Sequence, residues 1–459
     1  MMLAAMSLSL GVSVLAGVPE VYPDRMITPD APYAEGELFG DSYIVGLLDG
    51  KLLTQWRSPF DSEGQPEPAM LVFDVATGTQ LARCEAPTNP EGEHFGVSAT
   101  IIGDRIYVAS PIEFHTDGGV GKLYPGRGRI YMYDVATSEL VDTFEDQSPD
   151  AYFDIGFGLR TNGTHLVAFF STIVEDGTLL SASPYLDFDQ RGGVAIMDPI
   201  DGTIISTILS DDVFGPIGFG YPFTIAGDRL FARADNGDWP DVMHATECYD
   251  ISDPTNPVRL WREDNISGLD DFADDQYVTT VQTHEVVPGR DILLDHPIVH
   301  VHNALDGSLI ASHEIQEIGR SWVGPLEAAV DGDVFYISDA NQYSDTSRVL
   351  VFHAISGELI EVLRPPLPLE DEYFGSQIYA ENGTVAVSSS LPSETASRGT
   401  IYVFDRTQRR CAQDLNTDGQ ADFFDISAML TSRIDYNADT QFDFFDISAF
   451  LQDLSAGCP

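Results

Sequence analysis

Between about residue 30 and residue 410 the chain alternates short apolar runs with turn-forming residues, and no stretch carries the 3.6-residue period of a helix. One unit recurs: a β-rich run, an acidic residue, a short turn and a second β-rich run. It stands as LVFDVATGTQL at 71–81, IYMYDVATSEL at 130–140 and VAIMDPIDGTI at 194–204. It returns as TECYDISDPTNPVRL, IVHVHNALDGSLI, VLVFHAISGELI and IYVFDRTQRR. The residue before the turn forms a column of Phe73, Tyr133, Met197, Tyr249, His302, Phe352 and Phe404. The next column is Asp74, Asp134, Asp198, Asp250, Asn303, His353 and Asp405. An Asp or Asn there bonds the backbone two residues on and fixes a tight turn, which makes this column structural rather than catalytic.

Phe-Gly pairs precede that column at Phe39-Gly40, Phe95-Gly96, Phe157-Gly158, Phe219-Gly220 and Phe374-Gly375, with degenerate versions near Phe272 and Trp322. Between the two columns lies a turn and strand such as GDRIYVAS at 103–110 or GDRLFARA at 227–234. Each unit therefore holds about four short strands, and seven units fill the region. The expected fold is an all-β, seven-bladed β-propeller over residues 17–410, followed by a small α-helical module at 411–459. The last unit lacks a fourth strand, so residues 20–28 are expected to close the ring beside 401–405. The Phe-Gly and Gly-Asp spacing resembles the FG-GAP, integrin-alpha type of propeller repeat. The calcium loop that such repeats often carry between strands has no counterpart here, and Asp235-Asn236-Gly237-Asp238 reads as a turn.

Charge narrows the partners. Asp plus Glu number 73 against 23 Lys plus Arg, a formal net charge of -50. Such a surface repels nucleic acid and anionic membranes and attracts divalent cations. Residues 1–16 read as a signal peptide ending at Val14-Leu15-Ala16, although the usual basic start is missing. No later run suggests a transmembrane segment. The expected location is secreted or at the cell surface.

The C-terminus carries a duplicated block, DLNTDGQADFFDISAML at 414–430 and DYNADTQFDFFDISAFL at 435–451. As twelve-residue loops, these offer oxygen at positions 1, 3, 5, 7, 9 and 12. The first loop supplies Asp414, Asn416, Asp418, the Gln420 carbonyl, Asp422 and Asp425. The second supplies Asp435, Asn437, Asp439, the Gln441 carbonyl, Asp443 and Asp446. Calcium takes six to eight hard oxygen ligands, so two Ca2+ sites of EF-hand-like geometry are expected. Gly419 fills the sharp-turn position of the first loop, while Thr440 fills it in the second, so the second site is expected to bind more weakly. Helices are expected to begin at Ile426 and Ile447.

With Asp at position 12 and DFFDISA in both copies, this module resembles the dockerins of bacterial extracellular complexes, and its Gly-Cys ending resembles the GC-type group. The resemblance implies a cohesin-like protein or a cell-envelope component as docking partner, and it names Ile426, Ser427, Met429, Leu430, Ile447, Ser448, Phe450 and Leu451 as contact candidates. Cys411 and Cys458 bracket the module; they either pair or leave Cys458 for a separate anchoring step. Cys84 and Cys248 are expected to be buried and unpaired.

Other chemistry is sparse. His300 and His302 share a strand face, but they stand in columns of packed aromatics. The acidic run Asp270–Asp275 offers paired carboxylates without an assignable partner. No catalytic residue is named. The expected function is an exported calcium-binding docking or anchoring protein, whose propeller is a non-catalytic binding or scaffold domain for a protein or polysaccharide. The alternative is an extracellular carbohydrate-active hydrolase or lyase carried by the same module.

Overall fold

The computed structural model describes the strands and tight turns between residues 18 and 406, together with Ile447, Ser448 and Leu451. Residues 1–17, 28–37, 407–446 and the longer connections between strands lie outside the described residues. The predicted signal segment and most of the C-terminal module are therefore not placed. The three residues seen in that module are helical.

The described chain is a β-propeller. Six sheets have four strands and one has five, and apart from two strands added from the N-terminal segment each follows the chain as an antiparallel meander. The first sheet holds Leu38–Leu48, Lys51–Arg57, Ala69–Asp74 and Gln80–Glu85. The second holds Ser98–Ile102, Arg105–Ser110, Arg129–Asp134 and Leu140–Glu145. The third runs from Tyr152–Thr161 to Ile204–Ile208, the fourth from Phe223–Ala226 to Val258–Asp264, and the fifth from Asp271–Ala273 to Leu309–Glu314. The sixth runs from Ala328–Asp331 to Leu359–Leu363, and the last contains Tyr373–Glu381, Thr384–Ser390 and Thr400–Asp405. The second and fifth sheets each carry an extra hairpin, His115–Asp117 with Val120–Lys122 and His284–Val287 with Arg290–Leu293. Each hairpin lies between the second and third strands of its sheet.

First strands of successive sheets pack on one another, and Tyr373–Glu381 packs back on Leu38–Leu48, so the sheets close in a ring. The core follows from that arrangement. One β-sheet buries two faces only if a neighbour covers each, and the apolar clusters sit between adjacent sheets. Val72, Ile106 and Tyr133 join the first two sheets; Met132, Leu166 and Phe170 join the second and third. Ile27, Trp56, Phe73 and Val403 join the last sheet to the first.

The N-terminal segment divides between two sheets. Arg25–Ile27 pairs antiparallel with Ile401–Val403 and forms the outermost strand of the last sheet. Glu20–Val21 pairs parallel with Val362–Leu363 and is the fifth strand of the sixth sheet. A single closing strand over 20–28 is therefore too simple. Two separate anchors break the segment: Asp24 accepts from Asp405 N at 2.7 Å, while Arg364 Nε meets Glu20 Oε1 at 2.8 Å.

The acidic column builds the turn that follows the third strand. Asp74 Oδ1 accepts from Thr77 N at 2.7 Å, Asp198 Oδ1 from Ile200 N at 2.7 Å and Asn303 Oδ1 from Leu305 N at 2.7 Å. His353 does the same work through Nδ1, which accepts from Ser356 N at 3.2 Å. The register shifts at the residue before the column in the first sheet, Val72/Phe73, and again at Met132/Tyr133, Ile196/Met197 and Val351/Phe352. Each shift is a bulge that turns the chain, and the residue four beyond the column completes it with positive φ, as at Gly78 (72°) and Gly202 (71°). The Phe-Gly column marks a second break, where the first strand shifts register between Phe39 and Ile44 and between Phe374 and Gln377. Phe95 and Phe374 are buried there.

Candidate functional site

Inner strands of six sheets line a cavity of about 300 Å³. Its wall takes Gly46 and Leu47 from the first sheet, Thr100 from the second, Arg160 from the third and Thr224 from the fourth. Glu327 enters just before the first strand of the sixth sheet, and Gln377, Tyr379 and Glu381 come from the last. These positions lie a few residues before the turn from the first into the second strand, so the ring gathers residues from distant parts of the chain at one level.

The wall is mixed in chemistry. Glu327 is anchored through its backbone, whose N–H donates to Ser338 Oγ at 3.0 Å and whose carbonyl accepts from Ser338 N at 2.9 Å. Its carboxyl has no hydrogen-bond partner among the described residues, and burial alone pushes it up to about 7. Glu381 is also raised, first by burial and then by the nearby charge of Asp49, against which N–H groups of Gly50 and Asp49 act. Gln377 Oε1 accepts from Ile44 N at 2.5 Å, which ties the last sheet to the first and leaves its NH2 as a donor. Arg160 Nη1 donates to the Leu159 carbonyl at 3.0 Å. A guanidinium, an amide, hydroxyls and a carboxyl whose pKa is raised by burial can bind a small polar ligand, and the volume falls at the low end of small-molecule sites.

None of these residues was singled out by the sequence. Lining a channel requires side chains from strands hundreds of residues apart, and no local motif records that. The one available signal is position: each lies a few residues before the Gly-Asp or Asn-Gly turn of its unit.

The residues that the sequence does single out fall elsewhere. All twelve calcium-loop positions, Asp414 to Asp446, lie outside the described residues, as do Cys411 and Cys458. His302 is buried, with Nδ1 3.2 Å from the Gly307 carbonyl and 3.2 Å from Glu263 Oε2. Burial lowers its pKa, and Glu263 opposes that. The His300 and His302 rings lie 6.1 Å apart, tilted edge to face like the aromatics they replace. Among the described residues no group of three His, Cys, Asp or Glu is placed to hold a metal. Of the acidic run, Asp271–Ala273 forms the first strand of the fifth sheet, and its side chains are not described. Cys84 and Cys248 are free and buried, and desolvation pushes both thiols up to about 12. Among the described residues no helix is long and apolar enough to cross a membrane.

A repeated contact between sheets was also missed. A polar side chain of one sheet reaches a backbone carbonyl in the third-to-fourth-strand turn of the next. Tyr107 Oη donates to Pro199 O at 2.9 Å, Ser206 Oγ to Pro254 O at 2.5 Å and Trp261 Nε1 to Ala304 O at 3.2 Å. His313 Nε2 lies 2.8 Å from Ala354 O, and Arg25 Nη1 donates to Val75 O at 2.7 Å. Between the sixth and last sheets Arg406 spans the same gap, to Tyr336 Oη at 2.7 Å and Glu361 Oε2 at 3.2 Å.

Solved structures similar to the chain include propellers. The chain is similar to BamB from Moraxella catarrhalis, with 13% identity, a TM-score of 0.37, and coverage of 77% of this chain and 82% of that one. It is similar to the β-propeller domain of the Trilobed protease from Pyrococcus furiosus at 10% identity and a TM-score of 0.45, covering 81% and 94%. Against the Pyrococcus horikoshii acylaminoacyl peptidase the figures are 12% and 0.47, with 78% of this chain matched to 50% of the other. No protein-family model matches the chain, and no curated protein matches it. At these identities the likeness concerns the propeller fold alone.

Proposed function

We propose that this chain is an exported, calcium-binding docking or anchoring protein whose propeller is a non-catalytic binding or scaffold domain. The observation that carries this reading is the duplication at 414–451, where two loops repeat oxygen-bearing residues at calcium-ligand spacing and then repeat DFFDISA. Two Ca2+ ions would be held by Asp414, Asn416, Asp418, Gln420, Asp422 and Asp425, and by Asp435, Asn437, Asp439, Gln441, Asp443 and Asp446. Residues 411–459 would then form a dockerin-like module of the GC type that engages a cohesin-like protein or a cell-envelope component. Residues 1–16 would export the chain to the cell surface or beyond.

We count the five-stranded sheet as one blade with Glu20–Val21 added at its edge, which makes the propeller seven-bladed. Two features support the count. First-strand contacts run through every sheet and return to the start, and an apolar cluster fills each of seven junctions among the described residues. The FG-GAP reading of the repeat is supported by the register breaks at Phe39 and Phe374.

The second reading, a carbohydrate-active hydrolase or lyase, is favoured by one observation: Glu327 and Glu381 both line the cavity, with Tyr379 beside them. Binding remains the leading reading, because nothing among the described residues orients the Glu327 carboxyl as a general acid.

The test is a pull-down from cell-envelope extract with the full chain, with calcium and with a chelator. Docking predicts capture that calcium restores; capture indifferent to calcium would remove the dockerin reading. Release of reducing ends from polysaccharide by the same protein would move the function to the enzymatic alternative.

A further inference from the structure

Arg160 differs from the arginines that hold a carboxylate. In a chain with 73 acidic and 23 basic side chains, a cation has carboxylates to choose from. Arg105, Arg129, Arg262, Arg348, Arg364 and Arg406 each hold one. Arg160 does not. Among the described residues its only bond is to the carbonyl of its neighbour Leu159, and it forms part of the channel wall. A guanidinium keeps five N–H donors in a fork that suits a carboxylate, so this one has donors to spare for an incoming anion.

The remaining wall narrows the anion. Gln377 has a spare NH2, Thr100 and Thr224 bring hydroxyls, Glu327 brings a carboxyl without a partner among the described residues, and Glu381 brings a second carboxyl. Those groups recognise hydroxyls rather than further negative charge. The surplus of 50 negative charges opposes a multiply charged guest such as phosphate more than a singly charged carboxylate. A cavity of about 300 Å³ suits a ligand of about one sugar ring.

Building on the reading of the propeller as a binding domain, we propose that the channel binds a hexuronic acid, either free or at the end of an acidic polysaccharide. Its carboxylate meets Arg160, and its hydroxyls meet Gln377, Glu327 and the threonine hydroxyls.

Calorimetry on the full chain at pH 6 tests this with glucuronate, glucose, inorganic phosphate and a glucuronate trisaccharide. Glucuronate should bind at least ten-fold more tightly than glucose or phosphate. Arg160→Gln should abolish that preference without moving the melting temperature, and Arg160→Lys, which keeps the charge, should weaken glucuronate several-fold. Equal binding of glucose, tighter binding of phosphate, or unchanged affinity in Arg160→Lys would overturn the proposal, and the last result decides even if Arg160→Gln fails to fold. A tighter grip on the trisaccharide identifies a polysaccharide end, and equal affinity identifies the free acid; both support the proposal. Absent glucuronate binding with calcium-dependent capture intact overturns this inference alone. Lost capture with binding intact overturns the docking reading alone.

Discussion

Arg25 Nη1 donates a hydrogen bond to the carbonyl of Val75 at 2.7 Å, which joins the outermost strand of the last sheet to a turn of the first. It is one member of a series that recurs around the ring, and it lies at the seam where the two ends of the propeller meet. Replacing Arg25 by Met keeps the aliphatic stem and removes the bond. A charge-assisted, partly buried bond of this kind contributes about 1–2 kcal/mol. Urea unfolding should show a lower midpoint with an unchanged slope, and deletion of residues 20–27 should cost more than Arg25→Met.

The turn after each third strand discriminates between two glycines. A Cβ at Gly78 meets nothing within 4 Å, so Gly78→Ala incurs only the cost of positive φ, about 1 kcal/mol. At Gly202 the same Cβ would collide with the Phe144 ring of the neighbouring sheet. Gly202→Ala should therefore lose about 2–4 kcal/mol, since crowding adds to the backbone cost. Similar losses in the two variants, measured by thermal or urea unfolding, would contradict the close approach.

Glu327 makes stability depend on pH with a definite sign. Its carboxyl holds a proton to about 7 in the folded chain, against an ordinary value of 4.5. Between those values the folded state keeps a proton that the unfolded chain has released, so stability falls as pH rises through the window. Glu327→Gln removes that dependence. The variant should match the parent at pH 4, below the window, and exceed it by about 1–3 kcal/mol at pH 8. A constant difference between the two proteins across pH would show that the carboxyl titrates normally.

The junction of the fourth and fifth sheets is packed around an aromatic pair. Phe231, Cys248 and Ala304 form its buried cluster, with Ala226 and Trp261 packed against it. The Trp261 ring lies 5.9 Å from that of Phe231, tilted against it, and Trp261 also donates to Ala304 O. Trp261→Ala should cost about 3–5 kcal/mol. Because Cys248 lies in the same cluster, thiol labelling reports the seam directly. The variant should speed labelling of Cys248 and leave that of Cys84, buried between the first two sheets, unchanged.

Chelation should separate the two parts of the chain. On the proposed reading, the loops at 414–425 and 435–446 would crowd carboxylates that repel one another when empty, so EDTA should melt the C-terminal module and leave the propeller transition in place. Calorimetry should resolve two calcium affinities, and Thr440→Gly should bring the weaker closer to the stronger. Two equal sites in the parent protein would contradict this.

The sequence exposed whatever repeats and hid whatever is assembled. Asp74, Asp198 and Asn303 could be read as turn residues because each bonds the backbone two or three positions on, a local geometry that leaves a column in the repeat. Phe95 and Phe374 were visible for the same reason. The donors across the seams were not, because Arg25, Tyr107, Trp261 and His313 are chemically unlike and share only a target, the carbonyl of the residue after the column. The backbone acceptor is constant and leaves no mark on the sequence. The channel was hidden more completely: Arg160 and Glu327 share a wall while 167 positions separate them. The histidines drew attention by type, and His302 proves to be a packed ring bonded within its own turn.

The division of residues 20–27 between two sheets also sets a timetable. A chain made from its N-terminus carries this segment first, yet its partners at 362–363 and 401–403 come last. For nearly the whole of synthesis the segment has no ladder to join, and the growing stack of sheets has an open end. Closure is a late step spanning almost four hundred residues, the kind of long-range pairing that slows folding. The same delay leaves the ring open until residues 401–403 have been delivered.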